Sequence, residues 1–231
     1  MDLLQRLNEA NDIEIISCND ERFERYGRIL QGFNTSMIMD YMERSTPLPR
    51  SGCVYIASDA VMEKLPIIEE ISLSVFGTEA VQAGYCNGAS DAFNGFEYHK
   101  DIEVNICVND LMLAVAKTAD IKNNTISSDD AKVFFFPRGT VVEIYGDTLH
   151  YAPLKACEPG YRAVVILPRD TNVPLTMAEE IMRNKKFSEG YAEAKLLMQK
   201  RKWVIAHPDN TVLIQQGGYP GMLGENKKIA Y

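Results

Sequence analysis

The sequence predicts a mainly β protein, a sandwich or barrel of short strands with a helical segment before it and a helix plus a tail after it. Two observations support this prediction. From about residue 53 to about residue 168, short runs rich in β-branched and aromatic residues alternate with turn residues. Between residues 70 and 168 little room remains for helices, which disfavours a parallel sheet with crossover helices. We therefore expect a single domain over residues 1–231 with its barrel core at 53–168.

Composition and charge are those of an ordinary soluble protein. Of the 231 residues, 46% are hydrophobic and 24% are charged, and the formal net charge is −8. An acidic chain of this kind is a poor partner for nucleic acid or for an anionic membrane. The five cysteines form no CxxC pair, the N-terminus has no apolar signal region, and no apolar run reaches the ~20 residues of a membrane helix. We expect reduced thiols and a cytoplasmic location.

The segment before the barrel, residues 1–50, is predicted to be helical or irregular. Leu3 and Leu7 have helical spacing. In the run NDERFERYGRIL, Asn19 or Asp20 can cap a second helix that has acidic residues in its first turn.

Two segments follow the barrel. Residues 175–203 have a helical pattern, and Thr176 followed three residues later by Glu179 matches a capping box. Residues 204–231 are rich in turn residues, and we expect this tail to pack over the barrel or a partner subunit.

The stretch FEYHKDIEVN, residues 96–105, carries five ionisable side chains in a run that otherwise resembles a strand. Side chains of a strand alternate between faces, so Glu97, His99 and Glu103 would share one face. A solvated sheet face would explain this, and a metal site would explain it more specifically, because imidazole and carboxylate are the usual ligands of zinc, manganese, iron and nickel. A fourth ligand must come from elsewhere, and His150 in PRGTVVEIYGDTLHYAPL is the candidate.

These two stretches resemble the two motifs of the cupin superfamily. The first motif is a glycine, five residues, His-x-His, three or four residues, a glutamate, six residues and a glycine. The second holds Pro-x-Gly, two residues and then a histidine, and its strand usually opens with Pro-Gly. In this chain Glu97-Tyr98-His99 stands at His-x-His, with Glu103 after three residues, and His150 stands at the second-motif histidine, eleven residues after Pro137-Arg138-Gly139. The resemblance implies a jelly-roll barrel, a divalent metal (Mn, Zn, Fe or Ni) and four metal ligands: Glu97, His99, Glu103 and His150.

The chain departs from the cupin pattern at several positions. Glu97 replaces the first histidine, the motif glycines fall on Asp91, Asp110 and Asp147, and the motif proline falls on Tyr145. Aspartate tolerates turn conformations, so the turns can persist. A glutamate in place of a histidine keeps an oxygen donor and shifts the site toward harder metals such as manganese. The spacing leaves open whether Glu97 is a ligand or a catalytic base.

Further candidate residues lie around these ligands. Glu143 and Tyr145, on the run TVVEIY, could enter the lumen as proton donor or acceptor, and a position outside it is equally compatible with the sequence. Asn87 lies in a turn-rich loop at the expected rim, Arg162 could bind an anionic group or form a surface ion pair, and His207 could close the site or serve in a turn. Four residues are candidates for substrate binding: Asn87, Asp101, Arg162 and His207.

Within the superfamily, the motifs are similar to those of sugar-isomerase cupins such as the lyxose isomerases and the keto-deoxyuronate isomerases. This resemblance implies an isomerase or epimerase of a small sugar, sugar acid or sugar phosphate that works through an enediolate, with Glu97 or Glu143 moving the proton. The segment FERYG is similar to ureidoglycolate lyases, so a lyase is an alternative. A non-catalytic sugar- or effector-binding cupin and an iron dioxygenase are others. Because cupins commonly pair, we expect a homodimer.

Overall fold

Two β-sheets pack face to face in the computed structural model, which describes residues 2–231. In this part of the chain the strands are β1 Ile15–Ser17, β2 Gly27–Leu30, β3 Cys53–Ile56, β4 Val81–Gly88, β5 Gly95–Tyr98, β6 Glu103–Cys107, β7 Leu111–Lys117, β8 Ile126–Ser127, β9 Lys132–Phe136, β10 Val141–Ile144, β11 Thr148–Leu149, β12 Leu154–Lys155, β13 Tyr161–Pro168, β14 Leu197–Gln199, β15 Lys202–Ala206 and β16 Met222–Leu223. The α-helices are α1 Leu3–Ala10, α2 Ser36–Ser45, α3 Pro66–Ser74, α4 Met177–Ser188 and α5 Thr211–Gln215. None of these helices is long and apolar enough to cross a membrane.

Strand pairing defines the two sheets. Sheet 1 has the order β2-β10-β6-β13-β4-β3, and all its neighbours are antiparallel. Sheet 2 contains β1, β9 and β7, with β11 and β12 paired to β7. A bridge between Glu97 and His150 continues it to β5, β15 and β14. Strands distant in sequence thus pair within two facing sheets, which confirms the predicted mainly β, jelly-roll fold.

The alternation of side chains decides which residues of sheet 1 face sheet 2. Val142 of β10 and Val165 of β13 point inward and pack with Phe134 of β9. Their neighbour Val141 points to the other face, which α2 and α3 cover with residues such as Ile38. A residue of sheet 1 therefore reaches the space between the sheets only if it shares the phase of Val142 or Val165.

The segment before residue 53 contributes both helices and strands. Asp20 caps a short 3-10 helix at Glu21–Arg25, as the capping pattern predicts, and Asp2 caps α1. The segment also adds strands to both sheets: β1 lies beside β9 in sheet 2, and β2 lies beside β10 in sheet 1.

The segment after the barrel differs from the predicted single helix. The capping box is confirmed: Thr176 N donates to Glu179 Oε2 at 2.7 Å, and Glu179 N donates to Thr176 Oγ1 at 3.3 Å. However, α4 ends at Ser188, and the predicted continuation to residue 203 is wrong. Gly190 takes a positive φ of 97°, and the following residues form β14 and β15, because pairing with β5 buries the residues of β15 that follow Trp203.

Candidate metal centre

The charged stretch at residues 96–105 forms two strands that lie in different sheets. β5 ends at Tyr98 in sheet 2, and β6 begins at Glu103 in sheet 1. The turn between them includes Lys100 with a φ of 59°. The expectation that Glu97, His99 and Glu103 share one face of one strand is therefore wrong. They meet because the chain crosses from one sheet to the other, so that the side chains converge from both sides of the cavity.

A close contact between two turns joins this stretch to the one that holds His150. Lys100 N donates to Gly146 O at 3.1 Å. A Cβ atom on Gly146 would lie 2.7 Å from the backbone carbonyl carbon of Lys100, so only glycine permits this approach. Two backbone hydrogen bonds then pair Glu97 with His150, at 2.6 and 3.0 Å. The backbone thus holds the two halves of the site in register.

Four side chains form the cluster. The ligand atoms of Glu97, His99 and His150 all lie within 4.8 Å of one another. His99 Nε2 is 3.7 Å from Glu97 Oε1 and 3.3 Å from Glu103 Oε2. His150 Nε2 is 3.4 Å from Glu103 Oε2. All four residues proposed from the sequence as metal ligands are therefore brought together, in a buried position between the sheets.

The orientation of both imidazole rings is fixed by backbone carbonyls. His99 Nδ1 is 2.9 Å from Arg201 O, and His150 Nδ1 is 3.1 Å from Thr148 O. Since a carbonyl oxygen only accepts, each Nδ1 carries the proton and donates it, and in the neutral ring Nε2 keeps a lone pair directed at the cluster. Both Nε2 atoms are buried without a hydrogen-bond partner among the described residues. In these contacts the Nε2 lone pairs face the Glu103 carboxylate, so two electron-rich groups meet without a hydrogen between them. Such an arrangement needs a cation between the groups, and a metal ion fits this requirement.

The pKa shifts show that the cluster attracts positive charge. Burial raises the pKa of Glu97, but Lys202 and His99 outweigh it and lower that pKa to about 2. Burial likewise opposes the charged form of Glu103, and yet His150 and His99 hold its pKa well below the ordinary range. For His99, burial lowers the pKa, while Glu103 and Glu97 raise it to about 9. A proton or a metal ion is therefore strongly favoured at this position.

Lys202 is a member of the site that the sequence analysis missed. Its Nζ lies 2.6 Å from Glu97 Oε2, and both side chains are 12% exposed. It follows Arg201, whose carbonyl orients His99, so one hairpin turn between β14 and β15 supplies both contacts. The helical pattern of residues 175–203 includes this lysine and gives no sign of a site there. The apolar run WVIA after it was the signal that a strand begins here.

A cavity of about 700 Å³ lies next to the cluster, between the two sheets. Part of its wall is apolar, with Leu113 and Val165 among its residues. Its size and mixed lining suit a small polar molecule. Besides the cluster, the polar side chains on its wall include Tyr55, Asn105, Tyr151, Asn172, Gln199 and Lys202.

Two cysteines also line this cavity. Cys53 and Cys86 lie on the adjacent strands β3 and β4. A hydrogen bond from Cys86 lowers the pKa of Cys53 to about 7, whereas the pKa of Cys86 is raised by that contact and by burial. No spacing pattern pairs them, because they are 33 residues apart along the chain.

Glu143 and Tyr145 lie outside the cavity. Glu143 shares the outward phase of Val141, and its Oε2 accepts from Arg28 Nε at 3.0 Å and Arg28 Nη2 at 2.7 Å. Tyr145 has the same phase, and its ring faces Lys117 Nζ, 5.9 Å from the ring centroid. This placement corrects the expected position in the lumen, so neither residue is retained as a proton carrier.

Asn87 and Arg162 also point to the outer face of sheet 1. They are opposite each other in the pairing of β4 with β13. Asn87 Nδ2 donates to Thr46 Oγ1 and to Pro47 O, each at 2.9 Å. Arg162 has the phase of Val164, which packs under the helices. The expected substrate contacts of both residues are corrected by this orientation.

Asp101 and His207 are held by contacts of their own. Asp101 Oδ2 lies 3.4 Å from Arg201 Nε in the turn after β5. His207 is buried in the C-terminal segment, where Nε2 lies 3.1 Å from Gly224 O and Nδ1 accepts from Asp209 N at 3.1 Å. Both ring nitrogens of His207 are thereby used away from the cluster, which corrects its expected role in closing the site. Asp101 supports the hairpin turn rather than the cavity wall.

Comparison with known proteins gives a family and a set of distant structural likenesses. A family model described as "Domain of unknown function (DUF4867)" matches residues 15–227. No curated protein matches the sequence. An R92A mutant of Bacillus subtilis oxalate decarboxylase OxdC matches with 12% identity and a TM-score of 0.34, over 64% of this chain and 34% of that chain. The chain thus spans about a third of that protein's length.

Two other solved structures have similar scores. Vicilin from Corylus avellana (hazelnut) matches with 10% identity and a TM-score of 0.33, over 63% of this chain and 38% of that one. Acireductone dioxygenase from Bacillus anthracis, with a cadmium ion in its active centre, matches with 12% identity and a TM-score of 0.28, over 62% of this chain and 92% of that one. These neighbours are cupin-fold proteins. At such identities and TM-scores, they assign no activity or substrate to this chain.

Proposed function

Because the chain belongs to the DUF4867 family, a domain of unknown function, we propose its activity from its own cavity: a metal-dependent isomerase or epimerase of a small sugar, sugar acid or sugar phosphate. One observation carries this proposal. The Nδ1–H groups of the buried residues His99 and His150 donate to backbone carbonyls. Their Nε2 atoms, which have no hydrogen-bond partner among the described residues, both face the carboxylate of Glu103. That donor set, with two nitrogen and two carboxylate ligands, suits manganese, iron, nickel or zinc. The residues that would hold the ion are Glu97, His99, Glu103 and His150.

A divalent ion held there would supply Lewis-acid chemistry for a carbonyl oxygen beside a hydroxyl group. The chain's own residues do the rest. Glu97 stays ionised at neutral pH because its pKa is about 2, so it can serve as a ligand or accept a proton from a carbon atom. Its partner Lys202, at 2.6 Å, offers a donor on the same side of the cavity. With Glu143 on the outer face, Glu97 is the carboxylate we propose for proton transfer, and in that role the other three residues of the cluster would hold the ion.

The walls of the cavity support this chemistry. Leu113 and Val165 provide apolar surface near the cluster, and Asn105 Nδ2 donates to Glu103 Oε1 at 2.8 Å, which fixes that carboxylate. A fixed, partly dry site strengthens electrostatic interactions with a developing negative charge on oxygen.

The test begins with metal content. Purified protein is incubated with manganese, zinc, iron or nickel, desalted and measured by inductively coupled plasma mass spectrometry. We expect about one ion per chain in the wild type and a large loss in His99→Ala and His150→Ala. His207→Gln is the matched control, because it removes the one other histidine, which lies outside the cluster. Circular dichroism verifies that each variant is folded.

The loaded protein is then assayed with pentoses, hexoses, uronates and their phosphates. Interconversion of an aldose with a ketose, or of two epimers, supports the proposal. Absence of stoichiometric metal contradicts the metal centre. Turnover of none of these compounds by the loaded protein contradicts the isomerase assignment, and binding without turnover indicates a sugar-binding protein instead.

A further inference from the structure

Lys202 stands out among the residues that line the cavity. Among the described residues it is the one lysine or arginine on the cavity wall. It lies at the first position of β15, and its Nζ is 2.6 Å from Glu97 Oε2 and 5.7 Å from the centre of the Tyr55 ring. An ammonium group has three N–H donors, so the contact with Glu97 leaves others for a ligand.

The charge at the cluster suggests which kind of ligand. Glu97 and Glu103 contribute two negative charges, Lys202 contributes one positive charge, and the two histidines are neutral when Nε2 keeps its lone pair. The net charge of these groups alone is one negative charge, and a bound divalent ion changes the net charge to one positive charge. A buried, uncompensated charge is unfavourable, so the loaded site favours a ligand with a single negative charge. Glu180 also lines the cavity but is exposed, so solvent screens it. Cys53, whose pKa is about 7, carries only part of a negative charge at neutral pH, so the loaded site keeps a net positive charge.

A second, independent feature points to hydroxyl groups on that ligand. Asn172 is 8% exposed and lines the cavity. Its Nδ2 donates to Tyr55 Oη at 2.6 Å. Its Oδ1 is buried and has no hydrogen-bond partner among the described residues. An unpartnered acceptor on a cavity wall is satisfied by a ligand hydroxyl group.

We propose that Lys202 binds the carboxylate of the substrate and that the cavity therefore selects monoanionic hydroxy acids, of the aldonate or uronate class, over neutral sugars. Asn172 Oδ1 accepts a hydrogen bond from a hydroxyl of the same molecule. This inference rests on the proposed metal centre, since the ion supplies the surplus positive charge. It goes beyond that proposal by naming one substrate class and the residue that selects it.

The experiment compares two ligands that differ only at the charged group. D-Gluconate and D-gluconamide share every hydroxyl, and only the first is an anion at neutral pH. Full-length protein loaded with manganese is titrated with each by isothermal titration calorimetry, and retained metal is measured in the same samples. We expect gluconate to bind at least tenfold more tightly than gluconamide.

Variants assign that preference to the lysine. Lys202→Met should reduce the affinity for gluconate about tenfold and leave that for gluconamide nearly unchanged, while Lys202→Arg should keep the preference. Lys200→Met is the matched control, because Lys200 lies in the same hairpin turn, two residues before Lys202, and its side chain pairs with Glu179 at 3.4 Å on the surface. This control should bind both ligands as the wild type does.

The outcomes separate the two levels of inference. Equal affinity of the loaded wild type for the two ligands overturns the selection of anions. A Lys202→Met protein that retains metal and still prefers gluconate overturns the role of the lysine, because Lys202 then only balances the charge of Glu97. If Lys202→Met does not fold or loses metal, the comparison of gluconate with gluconamide in the wild type and in Lys202→Arg tests the proposal, and a loss of the preference in either protein contradicts it. A wild type that holds no metal refutes the metal centre itself, which is a different result from a loaded protein without anion preference.

Discussion

Gly146→Ala tests whether the contact between the two ligand-bearing turns sets the geometry of the site. A Cβ atom at this position would lie 2.7 Å from the carbonyl carbon of Lys100 and 2.9 Å from Asp101 N, distances that ordinary Cβ contacts do not reach. Since both neighbours are backbone atoms, the turns must separate by several tenths of an ångström. The 3.1 Å hydrogen bond from Lys100 N to Gly146 O weakens, and His99 moves relative to His150.

The expected loss of stability in Gly146→Ala follows from overpacking. Inserting a methyl group into a tight contact destabilises a protein by about 1–3 kcal/mol. For a domain of this size, each kcal/mol lowers Tm by roughly 2–4 °C. Because the strain falls between the two histidines, we expect metal affinity to fall at least tenfold, or about 1.4 kcal/mol.

The assay pairs thermal unfolding with metal titration. Gly139→Ala is the control, because Gly139 has a φ of 87° and open space around its Cβ position. A left-handed conformation for alanine costs about 1–2 kcal/mol, so the control loses similar stability without a clash between the ligand turns. If Gly146→Ala binds metal as tightly as Gly139→Ala does, the contact does not position the ligands and the reasoning is refuted.

Two further predictions follow from the charges at the site. In the metal-free protein, the pKa of His99 is raised from 6.5 to about 9. The stability that protonated His99 contributes is therefore fully present below pH 6.5 and is lost as the pH rises through 9. We expect Tm to fall over that window, and to fall much less in the metal-loaded protein or in His99→Gln. An unchanged Tm profile in the metal-free wild type argues against this. Glu143→Gln should keep its metal and any activity, since Glu143 pairs with Arg28 on the outer face, and should lower stability by about 1–3 kcal/mol in chemical unfolding; loss of activity at unchanged metal content would restore Glu143 as a catalytic candidate.

The grouping of Glu97, His99, Glu103 and His150 was predictable from sequence, but the reason that these residues converge was not. Spacing marks Glu97, His99 and Glu103 as a group, and alternation along one strand predicts that they share a face. The actual cause is a crossing between sheets through a turn at Lys100, a residue type that rarely takes a positive φ. No glycine or asparagine in the sequence marks that turn.

The outer-face residues show a different limit. Glu143 and Arg162 lie on strands, as the composition of their segments predicts, whereas Asn87 lies on β4 and not in the expected loop. Whether each points into the cavity depends on which face α2 and α3 cover, and a shift of one position reverses the answer. That information belongs to tertiary packing and not to the local pattern.

Lys202 was missed for a related reason. The run KLLMQKRKW has charged residues compatible with the wet face of a helix, and local propensity gives no sign of the partner strand. Pairing of β15 with β5 joins residues about 100 positions apart and overrides that preference. The hairpin then delivers both the carbonyl of Arg201 and the ammonium of Lys202 to the site.

The most direct test of the metal centre is X-ray absorption spectroscopy of the full-length protein loaded with one equivalent of zinc. The structure leads us to expect a first coordination sphere of nitrogen and oxygen atoms that includes two imidazoles, and the imidazole signal should disappear in the His99→Ala and His150→Ala variants. A sphere with sulfur donors would instead place the ion at Cys53 and Cys86, and a sphere without imidazole would contradict the proposed centre.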